Sequence, residues 1–274
     1  MFKDITLGQY FPGDSLLHKL DPRMKLLLSV LYIVLIFMAQ SALAYALVLL
    51  FTVLMIAVSQ ISFGTVLRSL KPIFFVLIFT TIVNVFWNTG GTVLWEWKFI
   101  VITDQGIIRA VTMALRIILL MASTSVILMY TTSPIALTDG LERLLAPLAK
   151  IKVPVHTFAM MMTMALRFIP TLLEETQKII NAQKARGADF DSGNIIAKAK
   201  ALIPVLIPLL ISQFRRAEEL ATAMECRCYR GGGGRTRMTV TRFAPRDFLT
   251  ALAVILVFTG VILLNIYFEP LLIK

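Results

Sequence analysis

The sequence predicts an all-α, multi-pass membrane protein with about five transmembrane helices and long cytoplasmic helices. Of its 274 residues, 58% are hydrophobic and only 16% are charged, and the mean hydropathy is +0.81. This composition is too apolar for a soluble globular protein. Residues 26–67 carry no acid or base and would form a helix of about 63 Å, against a hydrocarbon core of about 30 Å. We therefore expect a hairpin of two spans that bends near residues 40–42.

Three further uncharged runs are long enough for single spans: residues 72–95, 117–138 and 248–268. Two other apolar runs, 153–166 and 201–214, have only 14 residues each, which is typical of a buried or interfacial helix. This contrast predicts three regions. They are an N-terminal transmembrane part with four spans (1–138), a cytoplasmic helical region (139–246) and a C-terminal transmembrane helix (247–274).

The placement of the net charge of +11 predicts the orientation of the chain. Residues 139–246 hold 17 of the 27 lysine and arginine residues, and four more precede the first span. Because short cytoplasmic segments carry an excess of basic residues, we expect a cell-membrane protein with a cytoplasmic N-terminus and a C-terminus outside. Attraction to the lipid bilayer is expected. Nucleic acid is not an expected partner, because aromatic residues are scarce among the basic ones and no binding motif appears.

The first cytoplasmic helix is predicted to end at Ala185, Arg186 and Gly187. Glycine readily adopts the left-handed conformation that ends a helix. The apolar stripe of this helix comprises Leu172, Leu173, Thr176, Ile179, Ile180 and Gln183. A similar ending follows 41 residues later, with Arg227 in the place of Arg186.

An arginine at a helix end has a specific chemistry. Its charge suits the negative end of the helix dipole, and its planar fork binds a carboxylate through two parallel hydrogen bonds. Two such ends indicate tips that dock into acidic grooves. The alternative is an amphipathic helix that lies on the membrane surface with solvated charges.

The second cytoplasmic helix contains Pro204 and Pro208, which remove backbone donors and should kink it or split it. Beyond them we expect an apolar face opposite a charged face, and an end at residues 231–234. The apolar face comprises Phe214, Ala217, Leu220, Ala221 and Met224, and the charged face comprises Arg215, Arg216, Glu218 and Glu219. In the run MMMTM, Met160, Met161 and Met164 suit adaptable packing against exchangeable partners, although core filling is the commoner use of methionine.

The sequence indicates no catalytic or metal site. The run at residues 231–237 lacks the lysine of a phosphate-binding loop and follows a helix instead of a strand, so the chain is not expected to hydrolyse ATP. His18 and His156 belong to no metal-binding pattern. Cys226 and Cys228 form a C-x-C pair, which we interpret as two small residues at a helix end, with metal binding as the alternative.

Arg109 and Arg116 are the ionisable residues near the fourth predicted span. They lie seven residues apart, which is two turns on one helical face. They mark either a polar seam in the membrane or a helix that enters from the interface. The other spans offer no acidic partner, which argues against an ion or proton path.

Four stretches, in order, resemble the transmembrane T component of energy-coupling factor (ECF) transporters, and the resemblance covers nearly the whole chain. They are GQYFPGDSLLHKLDPRMK at 8–25, ALRFIPTLLEE at 165–175, QKARGADF at 183–190 and RAEELATAMECRCYRGG at 216–232. The resemblance implies a scaffold that pairs with two ABC-type ATPase subunits and with a membrane-embedded, substrate-binding S component. It also implies that ATP and Mg²⁺ are bound by the partner ATPases, while this chain binds no cofactor.

In that family two cytoplasmic coupling helices cross, and each ends in an Ala-Arg-Gly motif whose arginine enters a groove of an ATPase. The ATPase-binding residues so implied are Ala185, Arg186 and Gly187 in the first motif and Cys226, Arg227 and Cys228 in the second. Because the second motif retains only the arginine, we expect its glycine stop to be displaced to Gly231.

The resemblance further implies that closure of the ATPases moves the coupling helices and reorients the S component, which releases vitamins or other micronutrients inside. Packing with the S component or between the coupling helices is expected at Pro204, Pro208, Met160, Met161 and Met164. A stand-alone secondary transporter or channel is the alternative, and it needs mid-membrane ligands and an internal repeat. A vitamin-binding S component would instead need a polar and aromatic pocket among the spans.

Overall fold

The computed structural model describes residues 10–87, 92–97, 100–188, 190, 194–231 and 243–268. Most of them are helical, which confirms the all-α membrane class. The α-helices are α1 (Pro22–Met38), α2 (Ala42–Ser59), α3 (Phe63–Leu70), α4 (Phe74–Trp87), α5 (Asp104–Thr124), α6 (Pro134–Leu145), α7 (Val155–Ala185), α8 (Ile195–Cys226) and α9 (Pro245–Tyr267). The shorter segments are 3-10 turns at Lys71–Ile73 and Ala146–Ile151, a π-helical turn at Ser125–Tyr130, and an antiparallel hairpin of β1 (Val93–Trp97) and β2 (Ile100–Thr103).

Five helices in the described part of the chain are long and apolar enough to cross a membrane: α2, α3 continued by α4, α5 with its π-helical turn, α7, and α9. The number agrees with the prediction, but the set differs. Helix α1 has 17 residues, which is at the lower limit of the length that a helix needs to cross a membrane. Helix α7 is a continuous helix of 31 residues that contains most of the short apolar run at 153–166.

Two predicted span boundaries are wrong. The third span was expected to reach residue 95, but α4 ends at Trp87 because the following residues form the hairpin of β1 and β2. The fourth was expected at 117–138, but α5 begins at Asp104 and its π-helical turn ends at Tyr130. The early start follows from Thr103, whose side chain accepts a hydrogen bond from the backbone N–H of Gly106 at 3.1 Å and so caps the helix.

The chain divides into two compact units. One, here called the paired-helix unit, comprises the described residues from 145 to 231, and it contains α7 and α8. The other, here called the membrane unit, comprises the described residues from 10 to 144 and from 243 to 268, with α1 to α6 and α9.

In the membrane unit, α1 and α2 form the predicted hairpin, and Asn265 of α9 binds its bend. The side-chain oxygen of Asn265 accepts hydrogen bonds from the backbone N–H groups of Gln40 and Ser41, each at 3.2 Å. Its amide nitrogen donates to the carbonyl of Met38 at 2.7 Å. Backbone N–H and C=O groups outside a helix need such partners in a membrane, since lipid tails offer no hydrogen bonds.

At the opposite end of α9, buried polar residues join the start of α9 to the start of α1. Asp247 is 1% exposed and accepts hydrogen bonds from the backbone of Asp21 at 3.0 Å and of Ala244 at 2.7 Å. Lys25 is 2% exposed and donates to the carbonyl of Thr131 at 2.7 Å. Helix α9 is therefore fixed to the hairpin of α1 and α2 at both ends.

Between these ends, the core is apolar and buried. Tyr32, Leu35, Ile36 and Val48 are almost wholly buried. Helix α9 approaches α2 so closely at Gly260 that a Cβ atom there would lie 3.1 Å from the side chain of Leu47.

Candidate functional site

The paired-helix unit contains the two predicted arginine tips, and a carboxylate in the middle of α7 joins its two helices. Glu175 accepts hydrogen bonds from the hydroxyl of Ser212 and from Nε2 of Gln213, the latter at 3.1 Å. It also forms an ion pair with Arg216, with an N–O distance of 3.5 Å. The guanidinium of Arg216 in turn lies 5.8 Å from the ring centroid of Phe168, within the range of a cation–π contact.

Nearer the end of α7, a second contact depends on the two prolines of α8. Nε2 of Gln183 donates to the carbonyl of Pro204 at 3.5 Å, a long hydrogen bond. In an α-helix this carbonyl would accept from the residue four positions later. That residue is Pro208, which has no N–H, so the carbonyl is available to α7. Of the two expected outcomes, a kink or a split, the split does not occur, since α8 is continuous through both prolines.

The predicted stripe of α7 agrees with the structure, because all six of its residues are half-buried while their neighbours at 171, 174, 177 and 178 are exposed. The predicted faces of α8 are partly wrong. Phe214 is 69% exposed, whereas Arg216 is half-buried. The physical reason is Glu175, which attracts the polar side of α8. This signal was available in the sequence, since Glu175 lies three residues after Leu172 and four before Ile179, within the stripe of α7.

Helix α7 ends as predicted. Gly187 has a φ of +89°, in the left-handed region that glycine favours. The N–H of Gly187 donates to the carbonyl of Lys184 and the N–H of Ala188 donates to that of Gln183, both at 3.0 Å. This pair of bonds is a Schellman motif, which satisfies carbonyls at the helix end.

Helix α8 ends in the same way without a glycine. Cys228 has a φ of +55° and donates to the carbonyl of Glu225 at 2.8 Å, while Tyr229 donates to that of Met224 at 3.0 Å. The helix stop is therefore at Cys228, and the expected displacement to Gly231 is wrong. Cysteine is not β-branched, and a single residue other than glycine adopts this conformation at a cost of about 1 kcal/mol.

The two arginines occupy equivalent positions. Arg186 has φ −86° and ψ 6°, and Arg227 has φ −90° and ψ 14°. Each follows the last helical residue and precedes the left-handed one, and both side chains are exposed. Among the described residues, neither guanidinium group has a hydrogen-bond or salt-bridge partner. Each arginine is thus presented at the negative end of a long helix.

The arginines lie at opposite ends of the pair, because α7 and α8 are antiparallel. The end of α8 lies beside the first turns of α7, where a cleft of about 450 Å³ is lined by Met160, Met164, Met224 and residues 227–231. Met160 precedes Arg186 by 26 residues, which is about 39 Å of helix. The two tips are therefore roughly 40 Å apart.

Three of the predicted packing residues are exposed, two of them on α8 and one on α7. Pro204 and Pro208 are exposed within an apolar surface of α8, and Met161 is 54% exposed on α7. The exposed apolar residues of that surface are Leu202, Ile203, Leu206, Ile207, Leu210, Ile211 and Phe214. A surface of this extent is typical of a site that a partner or a membrane covers.

Arg116, in the membrane unit, binds neutral groups at the bend between α1 and α2. Its guanidinium donates to the hydroxyl of Tyr45 at 2.6 Å and to the carbonyl of Ala39 at 3.3 Å. It also lies 5.6 Å from the ring centroid of Phe37. These contacts give Arg116 a structural role at one end of the hairpin.

Residues 13–240 match the family described as cobalt transport protein, CbiQ. The energy-coupling factor transporter transmembrane protein EcfT of Ruminiclostridium cellulolyticum is 56% identical over 268 residues, which cover 98% of this chain and all of the relative. The EcfT proteins of Clostridium kluyveri and Acidaminococcus fermentans are 55% and 53% identical, over 92% and 94% of this chain and 93% and 96% of their own lengths.

The apolar helices and the transporter family together define a multi-pass membrane component of a transporter. Within that class the chain belongs to the EcfT family, the transmembrane T components of ECF transporters. The predicted family is thereby confirmed.

Proposed function

We propose that this T component couples ATP binding and hydrolysis by two ABC-type ATPase subunits to the reorientation of a membrane-embedded S component, for uptake of vitamins or other micronutrients. The observation that carries the proposal is the equivalence of the two helix ends. Arg186 and Arg227 share the same backbone geometry, the same exposure and the same place relative to the left-handed residue.

The distance between the tips supports two separate docking grooves. At roughly 40 Å apart, the arginines are too distant for one small cleft, so each requires its own acidic groove. Residues 185–187 form the first tip and residues 226–228 form the second. ATP and Mg²⁺ are bound by the ATPases, which leaves this chain without a catalytic role.

The contacts between α7 and α8 would transmit a movement of one helix to the other. Because Glu175 binds three residues of α8, a displacement of either tip acts on both helices. The exposed apolar surface around Pro204 and Pro208, together with Met161, is the proposed platform for the S component. Met160 and Met164 support the second tip from α7. In this arrangement α7, although long and apolar enough to cross a membrane, lies with α8 on the cytoplasmic side. The N-terminus also faces the cytoplasm, and the C-terminus faces outside.

The test is a comparison of Arg186→Ala, Arg227→Ala and the double variant with the wild-type chain in the assembled transporter. Loss of one buried, paired arginine costs about 2–5 kcal/mol at an interface, so each single variant should weaken association with the ATPases. The double variant should abolish ATP-dependent uptake while remaining inserted in the membrane. Arg215→Ala is the matched control, since Arg215 is exposed on α8 but lies three turns before the tip.

Normal uptake by the double variant would contradict the proposal. Uptake by the purified chain alone in liposomes, without ATPases, would favour the stand-alone transporter instead. Co-purification of two ATPases and an S component with the wild-type chain is the expected result.

A further inference from the structure

The membrane unit contains an apolar cavity of about 120 Å³ between α1, α2, α9 and the segment that precedes α1. It lies toward the first turns of α1 and α9 and the last turns of α2. Its lining comprises Leu16, Leu17, Leu20, Lys25, Leu28, Tyr32, Phe51, Leu54, Met55, Val58, Ile127, Thr250, Ala253 and Val254.

The three polar residues in this lining direct their polar atoms elsewhere. The hydroxyl of Tyr32 lies 2.8 Å from Oγ1 of Thr52 and donates to the carbonyl of Val48 at 3.1 Å. The ammonium of Lys25 donates to backbone carbonyls. The hydroxyl of Thr250 donates to the carbonyl of Arg246, in its own helix, at 3.1 Å. Since none of these groups turns into the cavity, water would find no partner there, and the cavity suits an apolar ligand.

The size and the opening of the cavity fit part of a hydrocarbon chain. Its volume approaches that of an engineered apolar cavity of about 150 Å³ that admits benzene. It is open at the surface of α2, where the lining residues Leu54 and Val58 are 53% and 37% exposed. In a membrane this surface is in contact with lipid, so lipid acyl chains are the apolar groups that can enter the cavity.

A basic residue lies next to the cavity on α9. Arg246 precedes Thr250 by four residues and Ala253 by seven, so the three lie on one face of the helix. Helical side chains point toward the N-terminus of their helix, which directs Arg246 away from the apolar lining and toward the helix end. Arg246 is exposed, and in the described part of the chain its guanidinium has no ion-pair partner.

We propose that this cavity binds one acyl chain of an anionic phospholipid, whose phosphate is bound by Arg246. The apolar lining selects the chain, and the arginine selects the charge of the headgroup. The site is independent of the arginine tips of α7 and α8.

The test measures lipid binding to the full-length chain, purified and delipidated in detergent, by native mass spectrometry. Phosphatidylglycerol and phosphatidylcholine with the same long acyl chains are the two probes. Glycerol 3-phosphate and dihexanoyl phosphatidylglycerol serve as headgroup probes without a long chain. Ala253→Phe fills the cavity, and Leu252→Phe is its control because Leu252 is 55% exposed beside it. Arg246→Gln removes the charge, and its control is Arg68→Gln, at an exposed arginine of α3.

The expected result is one tightly held phosphatidylglycerol per chain, bound more strongly than phosphatidylcholine. Binding should fall about fivefold in Arg246→Gln, the effect of one basic residue near an anionic lipid, and should be lost in Ala253→Phe. Both controls should bind as the wild type does. Equal binding by Ala253→Phe and Leu252→Phe would overturn the proposal, because it would identify only annular lipid. Equal affinity for the two long-chain lipids, or binding of glycerol 3-phosphate alone, would overturn it as well. If Ala253→Phe does not fold, Arg246→Gln and its control still test whether Arg246 binds the lipid phosphate.

Discussion

Asn265 provides a quantitative test of how the membrane unit is held together. The substitution Asn265→Leu preserves the number and branching of the side-chain heavy atoms but removes the three hydrogen bonds to the bend between α1 and α2. Hydrogen bonds between membrane helices contribute about 0.6 kcal/mol each on average. We therefore expect the free energy of unfolding to fall by about 2 kcal/mol, which is roughly a 30-fold change in the folding equilibrium constant.

The free energy of unfolding can be measured by titrating the purified protein from mild detergent into sodium dodecyl sulfate and following its circular dichroism. Thr259→Val on the same helix is the control. The hydroxyl of Thr259 donates to the carbonyl of Ile255, in its own helix, at 2.9 Å and does not contact the bend. A loss below about 0.5 kcal/mol for Asn265→Leu, within the range of ordinary surface substitutions, would refute the conclusion that Asn265 holds the hairpin.

Two further predictions use matched pairs of residues. A Cβ at Gly140 would lie 2.9 Å from the side chain of Pro22, so Gly140→Ala should lower the free energy of unfolding by about 1–3 kcal/mol. Gly64 lies on helix α3, where an added Cβ would have no atom within 4 Å, so Gly64→Ala should instead raise the free energy of unfolding by about 0.5–1 kcal/mol. If Gly140→Ala proved more stable than Gly64→Ala in the same titration, the packing described would be contradicted. Glu175→Ala should increase hydrogen exchange across the contact between α7 and α8 and reduce ATP-dependent uptake, whereas Glu174→Ala, at an exposed neighbour, should do neither. Equal exchange in both variants would show that Glu175 does not join the helices.

Local patterns were sufficient to predict the hairpin of α1 and α2 and the stripe of α7. The long uncharged run required a bend, and the helical spacing from Leu172 to Gln183 identified the face that packs. The orientation of α8 was not predictable from its own sequence. Its apolar periodicity favours Phe214, but one carboxylate on the neighbouring helix draws Arg216 inward.

The ends of α7 and α8 show a different limit. Gly187 is a local signal, and the stop it predicts is observed. Cys228 carries no such signal, because its left-handed conformation is set by two backbone hydrogen bonds and not by the preference of the residue. The span boundaries near Trp87 and Asp104 were missed because charge alone does not reveal a capping threonine or a β-hairpin.

Because α7 and α8 are antiparallel, the distance between Arg186 and Arg227 depends on the number of residues in these helices. Each residue added to α7 between Met160 and Arg186 would lengthen that spacing by about 1.5 Å and rotate the tip by about 100°. Seven residues, close to two full turns, would preserve the direction of the arginine while moving it about 10 Å. The lengths of these helices and the geometry of the proteins they serve therefore cannot vary independently, and a lineage that altered one would have to alter the other in steps of whole turns.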